Sequence, residues 1–172
     1  MGPADPVGPP ADPSTWTLPR LRINRDGAWL HEGEEVTHAG ILATLWDNLH
    51  VDAEGHYSQI GPARVPVEVE DAPFVILRVE DEGDRLMLTV NDLTREPLSP
   101  STLRVGPGAV PYCRIKDGRF EARLSRAATY QLLQRVEYDE AGGAATLALG
   151  GARYLLSGSI EGDRERPGSS PT

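Results

Sequence analysis

Arginines and carboxylates, rather than any nucleophile, are the residues of this chain best suited to chemistry. Arg64, Glu70, Asp71, Arg114 and Arg126 stand out. Glu70 and Asp71 lie just before Pro73, which restricts the backbone leading into it and stiffens the segment around the acidic pair. A guanidinium offers a planar fork of donors that a carboxylate can accept two at a time. An acidic pair facing arginines from elsewhere in the chain can therefore hold a polar ligand. It can equally fasten two parts of the fold together.

Metal and nucleophile chemistry has a weaker footing. His50, Asp52, Glu54 and His56 alternate, and in one extended segment all four would point to one side, as a metal site requires. The stretch is rich in turn residues, however, and the matching place in the second half has Asp139 and Glu140 without a histidine. It is read as a solvated turn, and no metal is assigned. Cys113 lacks the flanking signature of a catalytic thiol and is expected to be buried or half-buried. There is no Gly-x-Ser-x-Gly, no Walker loop and no Gly-x-Gly-x-x-Gly opening a helix. Gly106-Pro107-Gly108 loses an amide donor to its proline and precedes no helix, so it makes no ordinary phosphate nest. No catalytic residue and no cofactor is assigned.

Composition narrows the partners. The chain has 172 residues and a net charge of −9, which argues against nucleic acid and against an anionic membrane surface, both of which need a basic face. One cysteine cannot form an internal disulfide. No apolar run approaches the roughly 20 residues of a membrane helix, and the N-terminus lacks the basic-then-apolar order of a signal peptide. The expected location is cytoplasmic. Lys116 is the single lysine among 17 basic residues, a bias that fits a GC-rich bacterial genome.

The elements that must position these groups repeat. Arg22-Ile23-Asn24-Arg25-Asp26-Gly27-Ala28-Trp29 is echoed by Arg114-Ile115-Lys116-Asp117-Gly118-Arg119-Phe120. Ile60-Gly61-Pro62-Ala63-Arg64-Val65 is echoed by Leu149-Gly150-Gly151-Ala152-Arg153-Tyr154. Asp26-Gly27 and Asp117-Gly118 are hairpin turn signals. Trp29 and Phe120 would be paired core anchors on the return strands. Thr37 is the expected N-cap of a first helix, with Ile41, Leu42, Leu45 and Leu49 on its apolar face; Ser125 is the expected cap of a second, with Tyr130, Leu133 and Val136 as its stripe. Val65, Val67 and Val69 alternate with Pro66, Glu68 and Glu70 as a half-buried strand, and Pro66 suits an edge or a bulge. Val75 to Val79 and Arg85 to Val90 read as a hairpin.

These signals predict an α+β fold: two repeated antiparallel sheet-plus-helix units from an internal duplication, joined by a long β-hairpin. The boundaries are a disordered Pro-rich tail at 1–19, a first repeat at 20–70, a connecting hairpin and loops at 71–111, a second repeat at 112–157, and a disordered polar tail at 158–172.

Ile23, Arg25-Asp26-Gly27, Trp29 and Gly33, followed by Val69-Glu70-Asp71-Ala72-Pro73-Phe74, resemble the bacterial family catalogued as domain of unknown function 1285, DUF1285. Tyr112, Arg114, Gly118 and Arg126 fit that family's second half, so the likeness spans roughly residues 20 to 137. The resemblance implies a duplicated α+β fold and no assigned activity. Where the family carries a Thr-Pro pair and an acidic residue, this chain reads Ile60-Gly61-Pro62-Ala63-Arg64. With the resemblance included, the candidate ligand-binding set is Arg64, Glu70, Asp71, Phe74, Tyr112, Arg114 and Arg126.

Three readings follow. The first is a non-catalytic regulatory module that binds a small polar ligand or a protein partner at the seam between the repeats. The second is a hydrolase or transferase with Asp71 or Glu70 as general base and Arg64 or His38 as a convergent donor. The third is a structural protein that self-associates into a homo-oligomer through exposed sheet edges.

Overall fold

Sheet dominates the computed structural model, which describes residues 18–139 and 144–158. The tails expected at 1–19 and 158–172 fall, apart from residues 18, 19 and 158, outside that range. The chain divides into two compact units. Of the described residues, 18–23 and Ala28–Glu68 form one; Asn24–Gly27 and those from 69 to 158 form the other.

The first unit contains β1 (Leu21–Ile23), β2 (Trp29–His31), β3 (Glu34–Glu35), α1 (Ala39–Asp47), β4 (Leu49–Asp52), β5 (Gly55–Ile60) and β6 (Ala63–Val69). Its strands form one sheet in the order β3-β2-β1-β6-β5-β4. Ile23, Trp29, Val65 and Val67 are buried, and Trp29 meets Trp46 edge-on at 5.3 Å. The period-two pattern of β6 survives: Val65 and Val67 are buried while Pro66 and Glu68 are exposed. Pro66 nevertheless sits in an inner strand, opposite Tyr57, and not at an edge.

The second unit runs β7 (Phe74–Glu82), β8 (Arg85–Val90), β9 (Arg95–Pro97), β10 (Arg104–Gly106), β11 (Val110–Ile115), β12 (Phe120–Leu124), α2 (Arg126–Leu133), β13 (Val136–Asp139), β14 (Ala144–Leu149), β15 (Ala152–Leu155) and β16 (Ser157–Gly158). Seven strands form a sheet in the order β16-β10-β11-β12-β7-β8-β9, and β13-β14-β15 form a separate one. Phe74, Ile76, Leu86, Leu88, Ile115 and Leu132 are among its buried side chains, each contributing about 2 kcal/mol of apolar transfer free energy. Phe74 packs edge-to-face on Phe120 at 5.2 Å.

The α+β expectation of two like sheet-plus-helix repeats is corrected by these pairings. The protein is sheet-rich, with two α-helices among the described residues. The Asp26 and Asp117 hairpins stand in different pairing schemes: β1 lies between β2 and β6, whereas β12 runs parallel to β7. The β7–β8 hairpin does not join two units; β7 is an inner strand of the second unit's own sheet. Short sequence echoes encode turns, but strand partners are chosen by long-range burial, which the echoes do not carry.

The helices also differ in detail. His38, not Thr37, caps α1, its Nδ1 accepting from the amides of Gly40 and Ile41. The helix ends at Asp47, so Leu49 belongs to β4, and Leu45 is the buried residue of α1. Ser125 caps α2 as expected, accepting from the Ala128 amide at 3.0 Å. The buried face of α2 is Ala128 and Leu132; Tyr130 and Leu133 are exposed, and Val136 opens β13.

Candidate functional site

Asp71 is the hub of a polar cluster in the second unit. It lies in the short segment before β7, where Pro73 and the buried Ala72 and Phe74 fix the backbone. Its carboxylate lies 2.8 and 3.0 Å from the Tyr112 hydroxyl, which donates to it. The Arg123 guanidinium donates at 3.1 Å, and the Arg25 guanidinium stands 4.0 Å away. Glu70 accepts from the Arg25 amide at 3.0 Å. Burial, and then the hydrogen bond to Asp71, raise the Tyr112 pKa above its ordinary value, so the phenol stays protonated as a donor.

The sheet register assembles this cluster. Arg104 of β10 faces Tyr112 of β11, which faces Arg123 of β12. Directly opposed residues share a sheet face, so the phenol lies in a row between two guanidiniums. The Arg104 guanidinium stands over the Tyr112 ring at 4.5 Å and is held there by an ion pair with Glu121. Gly106 is needed beside it, because a Cβ there would come within 2.8 Å of the Tyr112 ring.

Arg123 also lines a groove of about 390 Å³ over the start of α2. Ala109, Val110, Leu124, Tyr130 and Leu133 supply apolar surface, and Arg126 the second guanidinium. Arg126 makes no hydrogen bond or ion pair with the other described residues. The chain turns sharply at the rim, with Gly108 and Ala109 both at positive φ.

The seven sequence-derived residues do not form one constellation. Asp71 and Tyr112 meet directly, with Glu70 next to them through Arg25. Arg126 borders the groove. Phe74 is buried in the core. Arg114 ties down its own hairpin, donating to the Gly118 and Arg119 carbonyls. Arg64 belongs to the first unit, where it pairs with Asp52 at 2.6 Å and lies 3.6 Å over the Tyr57 ring. That guanidinium holds the Asp52 carboxyl below the usual range. Arg25, Arg104, Glu121 and Arg123 were not singled out from sequence. Arg25 enters from sequence only as part of the repeat echo and of the Arg25-Asp26-Gly27 likeness, and Arg123 shows its importance only through cross-strand register.

The other reactive groups are accounted for. His50, Asp52 and His56 are split between β4 and β5, and no cluster of His, Cys, Asp and Glu suited to a metal ion occurs among the described residues. Cys113 is buried and its thiol is pushed up to about 12, chiefly by burial, so it stays protonated at neutral pH. No helix among the described residues is long and apolar enough to cross a membrane.

Comparison with family models and with curated proteins gave no match. Two solved structures do match. A DUF1285 family protein from Silicibacter pomeroyi DSS-3 is 23% identical with a TM-score of 0.66, over 94% of this chain and 93% of its own. Another, from Shewanella baltica OS155, is 21% identical with a TM-score of 0.58, over 68% of this chain and 92% of its own. The resemblance read from Arg25-Asp26-Gly27 and Val69 to Phe74 thus extends to three dimensions: this chain has the fold of bacterial DUF1285 proteins.

Proposed function

We propose that this protein is a non-catalytic binding module whose site is the Asp71–Tyr112–Arg123 cluster and the groove that Arg123 shares with Arg126. The observation that carries this reading is the double commitment of Arg123. One side chain pairs with the Asp71 carboxylate and borders a groove of about 390 Å³, a volume within the range of small-molecule sites. A ligand that draws on Arg123 loosens its hold on Asp71, and that exchange gives the module a means of relaying occupancy to the segment before β7. The Asp71 carboxylate accepts from Tyr112 and Arg123, which suits a structural acceptor better than a general base. The buried, protonated Cys113 offers no nucleophile.

A thermal-shift screen against metabolites and nucleotides tests this. A specific ligand raises the melting temperature by mass action. The rise is expected to shrink in Arg123→Gln at equal ligand concentration. Hits that stabilise both proteins equally would contradict the site.

A further inference from the structure

We infer that the ligand of this groove is a singly charged organic acid, a carboxylate carried on an apolar body; the inference rests on the binding-module reading above. Arg126 occupies the first position of α2, where the helix dipole favours a negative group and disfavours a cation. No carboxylate follows in the first turn, and no described residue pairs with the guanidinium. The guanidinium is exposed and held by water alone, so it is free to pair with an anion from outside the chain, which the positive end of the dipole also favours.

The local charge sets the valence of that anion. Arg123 and Arg126 are the two charged groups lining the groove, and Asp71 neutralises Arg123. One net positive charge remains, which matches a carboxylate. A phosphate dianion would also face repulsion from Asp71 just behind Arg123. The rest of the wall is apolar: Val110, Leu124 and Leu133, with the ring of Tyr130 two-thirds exposed. The Thr129 hydroxyl already donates its proton to the Ser125 carbonyl at 2.8 Å, leaving it an acceptor only. Such a wall favours a hydrocarbon or aromatic body over a sugar, which would need many more polar partners.

The test is an amide chemical-shift titration of the full chain with benzoate, benzamide and phenyl phosphate. Benzoate is expected to shift the amides of 108–110 and 123–130 and to bind at least tenfold tighter than either of the others. Arg126→Gln, an exposed substitution that removes a cation from the positive end of the helix, is expected to weaken benzoate at least tenfold without lowering the melting temperature. If benzamide or phenyl phosphate binds this groove as tightly as benzoate, the organic-acid assignment is overturned and the binding module stands. Benzoate binding that ignores Arg126→Gln overturns the assignment as well. If none of the three probes shifts these amides, the groove is not a binding site and both readings fall.

Discussion

The Tyr112 hydroxyl donates to the Asp71 carboxylate across 41 residues of sequence, tying an inner strand to the segment before β7. Hydrogen bonds to a charged acceptor are worth about 2 kcal/mol net in a partly buried setting. Tyr112→Phe is therefore expected to lower unfolding free energy by about that amount while keeping the ring against Arg104 and Gly106. Denaturant titration measures the change. A loss below about 0.5 kcal/mol would mean that water replaces the phenol at no cost.

Gly27 has φ +86°, and a Cβ there would meet Asn91 Nδ2 at 2.6 Å and Val75 Cγ2 at 2.7 Å. Asn91 in turn bonds the Gly27 carbonyl and the Val75 amide. Gly33 has nearly the same φ, +88°, with open space around it. Gly33→Ala is expected to cost about 1 kcal/mol from backbone strain alone, and Gly27→Ala at least about 1 kcal/mol more from the collision. Equal costs in the two variants would show that the Asn91 corner yields freely.

The helix caps give a matched pair. Ser125→Ala removes the acceptor for the Ala128 amide and is expected to cost about 1 kcal/mol. His38→Asp places a stronger N-cap, and a negative charge, at the head of α1, and is expected to stabilise by a few tenths of a kcal/mol or more. Destabilisation by His38→Asp would mean that the imidazole has a further structural duty.

Two groups couple stability to pH. Burial holds the His56 imidazole below its ordinary value of 6.5, so the unfolded chain takes up a proton before the folded one does. Stability therefore falls as the pH drops below about 6.5 and levels off beneath the folded value. Burial of Asp92 would raise its pKa, but hydrogen bonds from Thr94 and Lys116 outweigh it and hold the carboxyl low. Its contribution is complete above about pH 4 and is lost as the pH falls through the folded value. Denaturation at a series of pH values is expected to show both declines. His56→Gln should flatten the upper one and Asp92→Asn the lower. An upper decline that persists unchanged in His56→Gln would assign that slope to another group.

Much of the local structure could be read from sequence, and most of its assembly could not. Asp26-Gly27, the β7–β8 hairpin and the Ser125 cap are encoded by adjacent residues, so their signals are short-range. The partner of β12 is β7, with Ala122 opposite Phe74, 48 residues earlier, and nothing in either strand's alternation names the other. The site divides the same way. Asp71 and Tyr112 were legible from their residue types and the family-like segment around them. Arg123 was not, because its value comes from standing opposite Tyr112 in register. Phe74 enters through the same likeness and Arg114 through its residue type as well, yet one fills the core and the other closes a turn.

The most direct test of the account is where a bound ligand sits. Amide chemical-shift mapping with any hit from the thermal-shift screen is expected to perturb residues 69–73, 108–112 and 123–130, with the perturbation sharply reduced in Arg123→Gln. Perturbations confined to Ala28–Glu68, or unchanged in that variant, would contradict a site built on Asp71, Tyr112 and Arg123.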